Sequence, residues 1–361
     1  MRVVVVGGSG NVGTAVLRRF AQDDTITSVV AVARRAPRDR PPPPYDVATW
    51  VACDIGAHDA DERVVATLAD TFAGADAVVH LAWAIQPSHD RARLRATNVV
   101  GARRVVRGAA RAGVPHLVVV SSVGAYAPSP DDVLRDESWP TAGVRSSSYS
   151  VDKASVEALL DRAQARTSLV VARLRPALVF QRDAGHEIAR YFLGPLVPGR
   201  LLDGHAPVLP WPRGLRLQAV HADDVADAVR EAVVRQVRGP FNLAGPGVVR
   251  GPDVAALVAG ARLREVPPAV ARAALSAAWH ARLVPVGPGW LDMAMSAPLL
   301  DTTRAGRELG WRPVHPGVAA VHAAVRGIAA GAGTASPPLR PRGRWSGDDV
   351  RAGAARGTLG A

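Results

Sequence analysis

The chain has 361 residues, of which 48% are hydrophobic and 21% are charged, and its formal net charge at pH 7 is +12. This composition excludes a wholly disordered chain, and no apolar stretch reaches the roughly 18 residues that a membrane span needs. The basic residues are dispersed and form no dense block with aromatic residues, so we expect neither nucleic acid nor a membrane as a partner.

The predicted elements alternate between buried strands and helices from the N terminus onward. Val3–Val6 is a continuous apolar run, typical of a strand buried on both faces, and apolar residues then recur at helical spacing from Val12 to Phe20. Further strands are predicted at Val29–Ala33, Val51–Ile55, Ala77–Leu81, Leu117–Ser121 and Leu169–Arg173, with helices at Arg91–Ala112 and Asp152–Ala165. This alternation requires crossover connections, so the sequence predicts an α/β fold with a doubly wound parallel Rossmann sheet.

The pattern changes after Pro176, where glycine and proline interrupt the chain before strands recur near Leu215–His221 and Phe241–Leu243. We therefore predict a dinucleotide-binding Rossmann domain from residues 1–176 and 214–243. A smaller interleaved C-terminal substrate lobe is predicted from residues 177–213 and 244–330. Residues 331–361 are rich in Gly, Ala, Pro and Arg without periodicity, which predicts a disordered tail.

A glycine-rich turn separates the first predicted strand from the first predicted helix. Gly7, Gly10 and Gly13 have the spacing G-x-x-G-x-x-G. Small residues at these positions let the backbone turn sharply and bring a pyrophosphate close to the amides of the helix N-terminus. The strand–turn–helix context therefore predicts a dinucleotide cradle, with a plain tight turn as the alternative.

The end of the second predicted strand bears on which dinucleotide is bound. An acidic residue at this place commonly holds the ribose hydroxyls of NAD, but here Ala33 is followed by Arg34 and Arg35. Two arginines can bind a 2′-phosphate, which favours NADP over NAD. The alternative is that they only begin a solvated loop.

Two further polar residues lie where a bound dinucleotide would pass. Asp54, at the end of the third predicted strand, either accepts from the adenine amino group or caps the next segment. Asn98 is one of three asparagines in the chain and lies inside a predicted helix. Asparagine is a poor helix former, so its presence there needs an explanation. We interpret Asn98 as holding a water or a backbone group near the cofactor, or else as a packed polar residue.

The candidate catalytic residues are a serine, a tyrosine and a lysine. Tyr149 and Lys153 are four residues apart, hence on one face of a helix, and Lys153 is the only lysine among 44 basic residues. An ammonium stabilises a phenolate, so we expect it to lower the pKa of Tyr149 towards the working pH. At the end of a predicted strand, Ser122 is the candidate to polarise a substrate oxygen, and Ser121 is the expected structural donor.

Other polar and aromatic residues have more than one interpretation. Four tryptophans could line an apolar pocket, with ordinary core burial as the alternative: Trp83, Trp139, Trp211 and Trp290. His221, Asp223 and Asp224 are expected to cap a strand-to-helix junction. The histidines do not cluster at metal-ligand spacing, so no metal is expected.

The order of these motifs resembles the extended short-chain dehydrogenase/reductase family, also called NAD-dependent epimerase/dehydratases. The motifs are GGSGNVG, the DI at Asp54-Ile55, VVHLAW, NVVG, VSSVGAY, YSVDK, LRPALVF, HADDVA and LGWRP, over roughly residues 1–325. The resemblance implies a Ser/Tyr/Lys site at Ser122, Tyr149 and Lys153, and adenine contact at Asp54. Within the same motifs we expect the cofactor to be bound by Gly7, Gly10, Asn11, Val12, Gly13, Ile55, Leu81, Ala82, Asn98, Tyr149 and Lys153, beside Arg34 and Arg35.

Two departures from the family pattern shape the functional hypothesis. The acidic residue that suits NAD is missing at Ala33, and the substrate lobe lacks family signatures for a nucleotide diphosphate sugar. We therefore favour an NADP-linked oxidoreductase that transfers a hydride between nicotinamide and a small, fairly apolar ketone or alcohol. An epimerase or dehydratase that retains NAD is the alternative from the same family, and a non-catalytic dinucleotide-sensing protein is the alternative from another class.

The sequence also bears on the cysteine chemistry, the location and the assembly of the protein. Cys53 is the single cysteine, which excludes an intrachain disulfide, and it is expected to be a buried strand thiol. The opening residues lack a signal-peptide pattern, so a cytoplasmic location is expected. The expected partner is a small-molecule substrate, and a homodimer is one possible assembly.

Overall fold

The computed structural model describes residues 1–37, 39–58, 60–193, 208–258 and 261–341. At the centre of this described part lies a seven-stranded sheet with all neighbouring strands parallel. Its strands are β1 (Arg2–Val6), β2 (Ser28–Ala33), β3 (Ala48–Ala52), β4 (Ala77–His80), β5 (His116–Val120), β7 (Val170–Pro176) and β11 (Gly239–Leu243). The predicted doubly wound Rossmann sheet is confirmed.

The strand order places a ligand-binding crevice at one edge of the sheet. The order is β11-β7-β5-β4-β1-β2-β3, so the chain winds outward in opposite directions from β1 and β4. In open parallel sheets, ligands bind outside the carboxyl ends of the strands at such a reversal. The glycine turn after β1 and the residues after β4 both lie at this point.

Two layers of helices cover the sheet because alternate residues of each strand face opposite sides. Val3 and Val5 belong to one apolar core, and Val4 and Val6 belong to the other. The first core is covered by α1 (Asn11–Phe20) and α7 (Ala222–Arg235). The second is covered by α2 (Asp61–Phe72), α4 (Gly101–Arg111) and α5 (Ser148–Arg166). Apolar runs without alternation are thus explained by burial on both faces.

The remaining described elements form short strand pairs and peripheral helices. The pairs are β6 (Leu134–Arg135) with β13 (Leu299–Leu300), β8 (Leu178–Phe180) with β10 (Ala219–His221), and β9 (Val208–Pro212) with β12 (Arg262–Val266). The helices are α3 (Arg91–Arg95), α6 (Gly185–Ile188), α8 (Gly251–Leu257), α9 (Pro268–His280), α10 (Pro288–Ser296) and α11 (Gly317–Ala329). Helical turns of the wider π type extend α3 over Ala96–Val100 and α6 over Ala189–Leu193.

Several element boundaries differ from those predicted. The strand predicted at Val51–Ile55 is β3, three residues earlier, because Asp54 ends it by accepting a hydrogen bond from the Gly56 amide at 3.0 Å. Cys53 consequently follows the strand and is half-buried, and burial raises the pKa of its thiol. The helix predicted at Arg91–Ala112 contains the π turn just described.

The predicted disorder of residues 331–361 is wrong for the part that the structure describes. Residues 331–341 pack against the body of the protein, and the Leu339 side chain is fully buried. Ser336 donates a hydrogen bond from its hydroxyl to the Ser9 carbonyl in the glycine turn at 2.6 Å. Local hydroxyl contacts and one leucine secure this segment, so it needs no periodic apolar face. Residues 342–361, the rest of the predicted tail, lie outside the described residues.

Candidate active site

The glycine turn is shaped by close backbone packing at two of its three glycines. Gly7 has a φ of +96°, and a Cβ there would lie 2.6 Å from the Ala82 nitrogen. A Cβ on Gly13 would lie 2.3 Å from the Gly7 carbonyl oxygen, so α1 approaches the turn as closely as its backbone allows. Gly10 differs, because its nearest contact would be 3.6 Å away. The open side at Gly10 fits a diphosphate at the N-terminus of α1.

Asn11 and Val12 begin the helix and link the turn to the rest of the protein. The Asn11 carbonyl oxygen and side-chain oxygen accept hydrogen bonds from Gln181 at 2.8 and 2.7 Å. Val12 is half-buried and packs on the core beneath α1. Gln181 was not predicted from the sequence, because its contact spans 170 residues of chain. It joins the end of β8 to the glycine turn.

The arginines after β2 are placed at the carboxyl edge of the sheet. Ala33 is buried at the strand end, and both Arg34 and Arg35 are exposed. Leu81 and Ala82 follow β4 at the same edge and are half-buried, with the Leu81 amide donating to the Val6 carbonyl at 2.8 Å. These residues therefore share one edge with the glycine turn.

Residues beyond β3 and β4 have structural partners of their own. Asp54 caps the turn after β3, as one of its two interpretations expected. Ile55 is buried against α4, since a Cβ on Gly101 would lie 2.8 Å from the Ile55 side chain. Asn98 binds a backbone group, accepting from the Ala84 amide at 2.7 Å and donating to the Ala84 carbonyl at 3.2 Å. Asn98 thereby fixes the segment that runs from β4 along the cleft.

Ser122, Tyr149 and Lys153 converge at the carboxyl end of β5. Ser122 follows the strand, accepts a hydrogen bond from the Gly124 amide at 3.0 Å, and is close enough to the Tyr149 phenol to lower its pKa. Gly124 allows this approach, since a Cβ there would lie 2.8 Å from the Tyr149 ring. One turn further along α5, Lys153 donates to the Val120 carbonyl at 3.1 Å. Ser122 and Lys153 are buried and Tyr149 is half-buried, so the three side chains occupy one small region at the edge of the cleft.

The pKa values in this region are set by burial. Burial raises the pKa of Tyr149 to about 12, and the hydrogen bond with Ser122 acts in the opposite direction. Burial lowers the pKa of Lys153 to about 7, against the attraction of Glu157. The pKa of His80, buried in β4 near Lys153, falls to about 3, so this histidine is neutral.

The expected lowering of the Tyr149 pKa by Lys153 is therefore not found in this structure. The Lys153 ammonium lies 5.9 Å from the centroid of the Tyr149 ring and only 3.7 Å from that of Trp83. Loss of hydration consequently dominates the pKa of the phenol. At neutral pH, Tyr149 is a protonated hydrogen-bond donor.

Aromatic rings enclose Tyr149. The rings of Trp83 and Trp290 lie 5.8 and 5.0 Å from that of Tyr149, and Phe192 packs edge-on against Trp290 at 5.2 Å. A cavity of about 180 Å³ opens beside Tyr149, and it is lined by apolar residues that include Trp279 and by polar ones that include Gln86, Asn98 and the serines at 146–148. Of the four tryptophans considered from the sequence, Trp83 and Trp290 thus lie at the site. Trp139 and Trp211 instead donate to backbone carbonyls elsewhere.

The charged residues of this cavity neutralise one another. Among its lining residues, the charged ones are Arg91 and Asp152, and they form a two-point ion pair. Asp152 is fully buried and is also 3.6 Å from the Arg95 guanidinium. The cavity therefore offers an incoming molecule apolar rings beside uncharged hydrogen-bonding groups, with no uncompensated charge among its described lining residues.

The chain matches the model of the NAD dependent epimerase/dehydratase family over residues 3–244. It belongs to this family. The resemblance to NAD-dependent epimerase/dehydratases that the sequence motifs carry is thereby confirmed. Both the family description and the neighbouring structures name NAD, so the expected preference for NADP has no support from these comparisons.

This epimerase/dehydratase-family enzyme has distant relatives of several kinds. It is 27% identical to the uncharacterized protein Rv0501 of Mycobacterium tuberculosis over 252 residues, 68% of this chain and 63% of that protein. This chain thus spans less than two thirds of the length of the first curated relatives it matches. It is 30% identical over 122 residues to 3beta-hydroxysteroid-dehydrogenase/decarboxylase isoform 1 of Arabidopsis thaliana, covering 34% of this chain and 28% of that protein.

The fold of this chain is also found in a solved structure of another protein. DesIV, the dTDP-glucose 4,6-dehydratase of Streptomyces venezuelae, was determined with NAD and TYD bound and matches with a TM-score of 0.66. The match covers 91% of this chain and 96% of DesIV, at 21% identity.

In the described part of our structure, no helix has the length and apolarity to cross a membrane. Within the same residues there is no group of three or more His, Cys, Asp or Glu suited to a metal ion.

The junction between β10 and α7 has the capping role expected of it. His221 is the N-cap of α7 and accepts a hydrogen bond from the Asp223 amide at 3.2 Å. Asp223 pairs with Arg18 at 2.7 Å, and Asp224 accepts from the amides of Val314 and His315. These residues join α7 to α1 and to the chain beyond Trp311, away from Tyr149.

Proposed function

We propose that this enzyme is an NADP-linked oxidoreductase that interconverts a ketone and a secondary alcohol on a small apolar substrate. The observation that carries the proposal is the convergence of Ser122, Tyr149 and Lys153 beside a glycine turn whose open side fits a diphosphate. A proton donor and a polarising hydroxyl beside a lysine, all at one point, are what carbonyl reduction requires.

The chain's own residues would manage the proton and the developing oxygen charge. When bound, the nicotinamide supplies or accepts the hydride at the substrate carbon. Tyr149, protonated at neutral pH, donates its proton to the carbonyl oxygen, and Ser122 donates a hydrogen bond to the same oxygen. Lys153 lies one helical turn behind and would hold the nicotinamide ribose. In the direction of alcohol oxidation, Tyr149 accepts the proton instead.

The substrate class follows from the cavity beside Tyr149. Its lining combines Trp279, Trp290 and Ile85 with uncharged polar side chains and with the neutralised pair of Arg91 and Asp152. Such a surface favours an uncharged apolar molecule over a diphosphate, whose charges would need partners. The two tryptophans come from the proposed substrate lobe of residues 177–213 and 244–330.

The choice of NADP rests on the end of β2. The strand ends in Ala33, which has no carboxylate to repel a 2′-phosphate, and the exposed Arg34 follows at the same sheet edge as the glycine turn. A charge-assisted contact to phosphate is worth on the order of 1.5–3 kcal/mol. We therefore expect NADPH to be preferred over NADH by roughly 10- to 100-fold in kcat/KM.

Titration of the purified protein with both dinucleotides tests this choice. Arg34→Ala is expected to remove most of the preference for NADPH, whereas Arg312→Ala, which removes another exposed arginine, should leave it unchanged. Ala33→Asp should reverse the preference, because a carboxylate at that place accepts from ribose hydroxyls and repels a phosphate. Equal or tighter binding of NADH to the unmodified protein would refute the NADP assignment.

A second candidate is an epimerase or dehydratase that retains NAD through its cycle. It is favoured by the family description and by the NAD bound in DesIV. The same Ser122, Tyr149 and Lys153 would serve its oxidation and reduction steps. Mass spectrometry of the purified protein separates the two candidates, since tightly retained NAD favours this one and an empty site that binds NADPH favours the first.

A further inference from the structure

Residues 334–341, which we call the C-terminal strap, lie directly against the glycine turn. The Ser336 hydroxyl donates to the Ser9 carbonyl at 2.6 Å, and Ser336 is only 3% exposed. These two residues are 327 positions apart in the chain. Leu339 is fully buried, so the strap is packed as well as hydrogen-bonded. The glycine turn therefore has a partner from the far end of the chain.

A second chain of hydroxyls links the strap to the next carbonyl of the turn. The Thr14 hydroxyl donates to the Gly10 carbonyl at 2.9 Å. The oxygen of the Thr14 hydroxyl also lies 2.9 Å from the Tyr45 hydroxyl oxygen. The Tyr45 hydroxyl in turn is 2.6 Å from the Thr334 hydroxyl. Tyr45 is 3% exposed, so these bonds are shielded from water. The Gly10 carbonyl also accepts from the Thr14 amide at 2.9 Å, the first backbone hydrogen bond of α1, whereas the Ser9 carbonyl accepts from Ser336 of the strap.

The strap is itself fixed at several points. The Thr334 hydroxyl accepts from the Ser336 amide at 3.2 Å, and the Thr334 amide donates to the Leu339 carbonyl at 2.7 Å. Arg190 donates from its guanidinium to the Pro338 carbonyl at 3.2 Å. The hydroxyls that reach the glycine turn are therefore presented by a closed turn and not by a loose chain end.

The orientation of the turn matters because a bound diphosphate would need its backbone amides. A diphosphate is bound by backbone amides, and a carbonyl that rotated towards it would place a negative dipole against its charge. The amide of the same peptide, at Gly10, donates to the Gly7 carbonyl at 3.2 Å, so Gly7 and Ser336 hold this peptide plane from its two sides and keep the Ser9 carbonyl turned towards the strap. Donors held in place before the ligand arrives need no reorganisation when it binds.

We propose that Ser336 and Thr334 are positioning residues of the dinucleotide site, through which the C-terminal strap orders the glycine turn. The inference rests on the proposed function in that the anion bound at the turn is the diphosphate of the dinucleotide. It assigns a role in cofactor affinity to a part of the chain outside the residues 3–244 that match the family.

Single substitutions test the two hydroxyls. Ser336→Ala and Thr334→Val, which are close in size to the residues they replace, should each weaken NADPH binding by about 3- to 10-fold, as expected for one buried hydrogen bond. The kcat at saturating cofactor should stay within about two-fold, because neither residue reaches Tyr149. Ser138→Ala, which removes an exposed hydroxyl that donates to Asp136, is the matched control and should change neither quantity.

Hydrogen exchange separates this proposal from the proposed function. Without any dinucleotide, the amides of residues 8–12 should exchange several-fold faster in Ser336→Ala than in the unmodified protein, while the melting temperature falls by no more than about 4 °C, as expected for the loss of one hydrogen bond. In the full chain, the double variant Ser336→Ala/Thr334→Val should show a larger effect than either single variant. Equal exchange and equal affinity in all variants would overturn the positioning role. If the unmodified protein bound neither NADPH nor NADH, the proposed function would fail, while the exchange comparison would still decide the strap's action on the turn.

Discussion

Replacing Tyr149 with phenylalanine is expected to lower kcat by about 10²–10⁴-fold, the usual contribution of a general acid or base. The change removes one oxygen and the proton it carries. The ring should keep its place, because Trp83, Trp290 and the close contact at Gly124 hold it. Cofactor affinity should therefore change by no more than a few-fold.

The measurement is NADPH oxidation with an apolar ketone that the unmodified enzyme reduces, alongside a fluorescence titration of cofactor binding. Val151→Ala, on the exposed side of the same helix, is a suitable control and should retain full turnover. Retention of more than about a tenth of the original kcat in Tyr149→Phe would remove Tyr149 from the proton-transfer role.

The parts of the fold that sequence reasoning predicted are those in which local chemistry decides the outcome. Val3–Val6 could be assigned because a strand buried on both faces needs apolar residues without alternation. The spacing of Gly7, Gly10 and Gly13 could be interpreted because backbone contacts at Gly7 and Gly13 exclude any side chain. The end of the third strand was misplaced because an Asp54 turn, and not apolarity, terminates it.

The features that were missed depend on contacts between distant parts of the chain. Burial of Tyr149 by Trp83 and Trp290 raises the pKa of the phenol, and no local pattern around Tyr149 reveals these neighbours. The tail was predicted to be disordered because it lacks a periodic apolar face, yet Ser336 docks on Ser9 through a single hydroxyl. Such one-to-one contacts leave no periodicity in the sequence.

Lys153→Arg is expected to reduce turnover by about 100-fold or more, although the substitution keeps a positive charge. The ammonium lies between the Val120 carbonyl at 3.1 Å and the Trp83 ring centroid at 3.7 Å, and a planar guanidinium is too large for that space. Displacement of a catalytic group by about 1 Å can cost on the order of 10²-fold in rate. Near-normal kinetics in the arginine variant would show that turnover does not depend on the size and shape of the lysine ammonium at position 153.

Lys153→Met should abolish turnover and yet make the cofactor-free protein more stable at pH 7. The pKa of Lys153 is about 7 in the folded protein against its usual 10.5, since burial disfavours the ammonium more than Glu157 stabilises it. Between these two pH values the unfolded chain binds a proton that the folded protein lacks, so this lysine's destabilising contribution decreases as pH rises from 7 towards 10.5. Methionine avoids that cost, so we expect its melting temperature to exceed that of the unmodified protein by at least about 2 °C at pH 7 and by less at pH 9.5. A lower melting temperature for Lys153→Met at pH 7 would mean that the contacts of the ammonium with Trp83 and Val120 outweigh its burial.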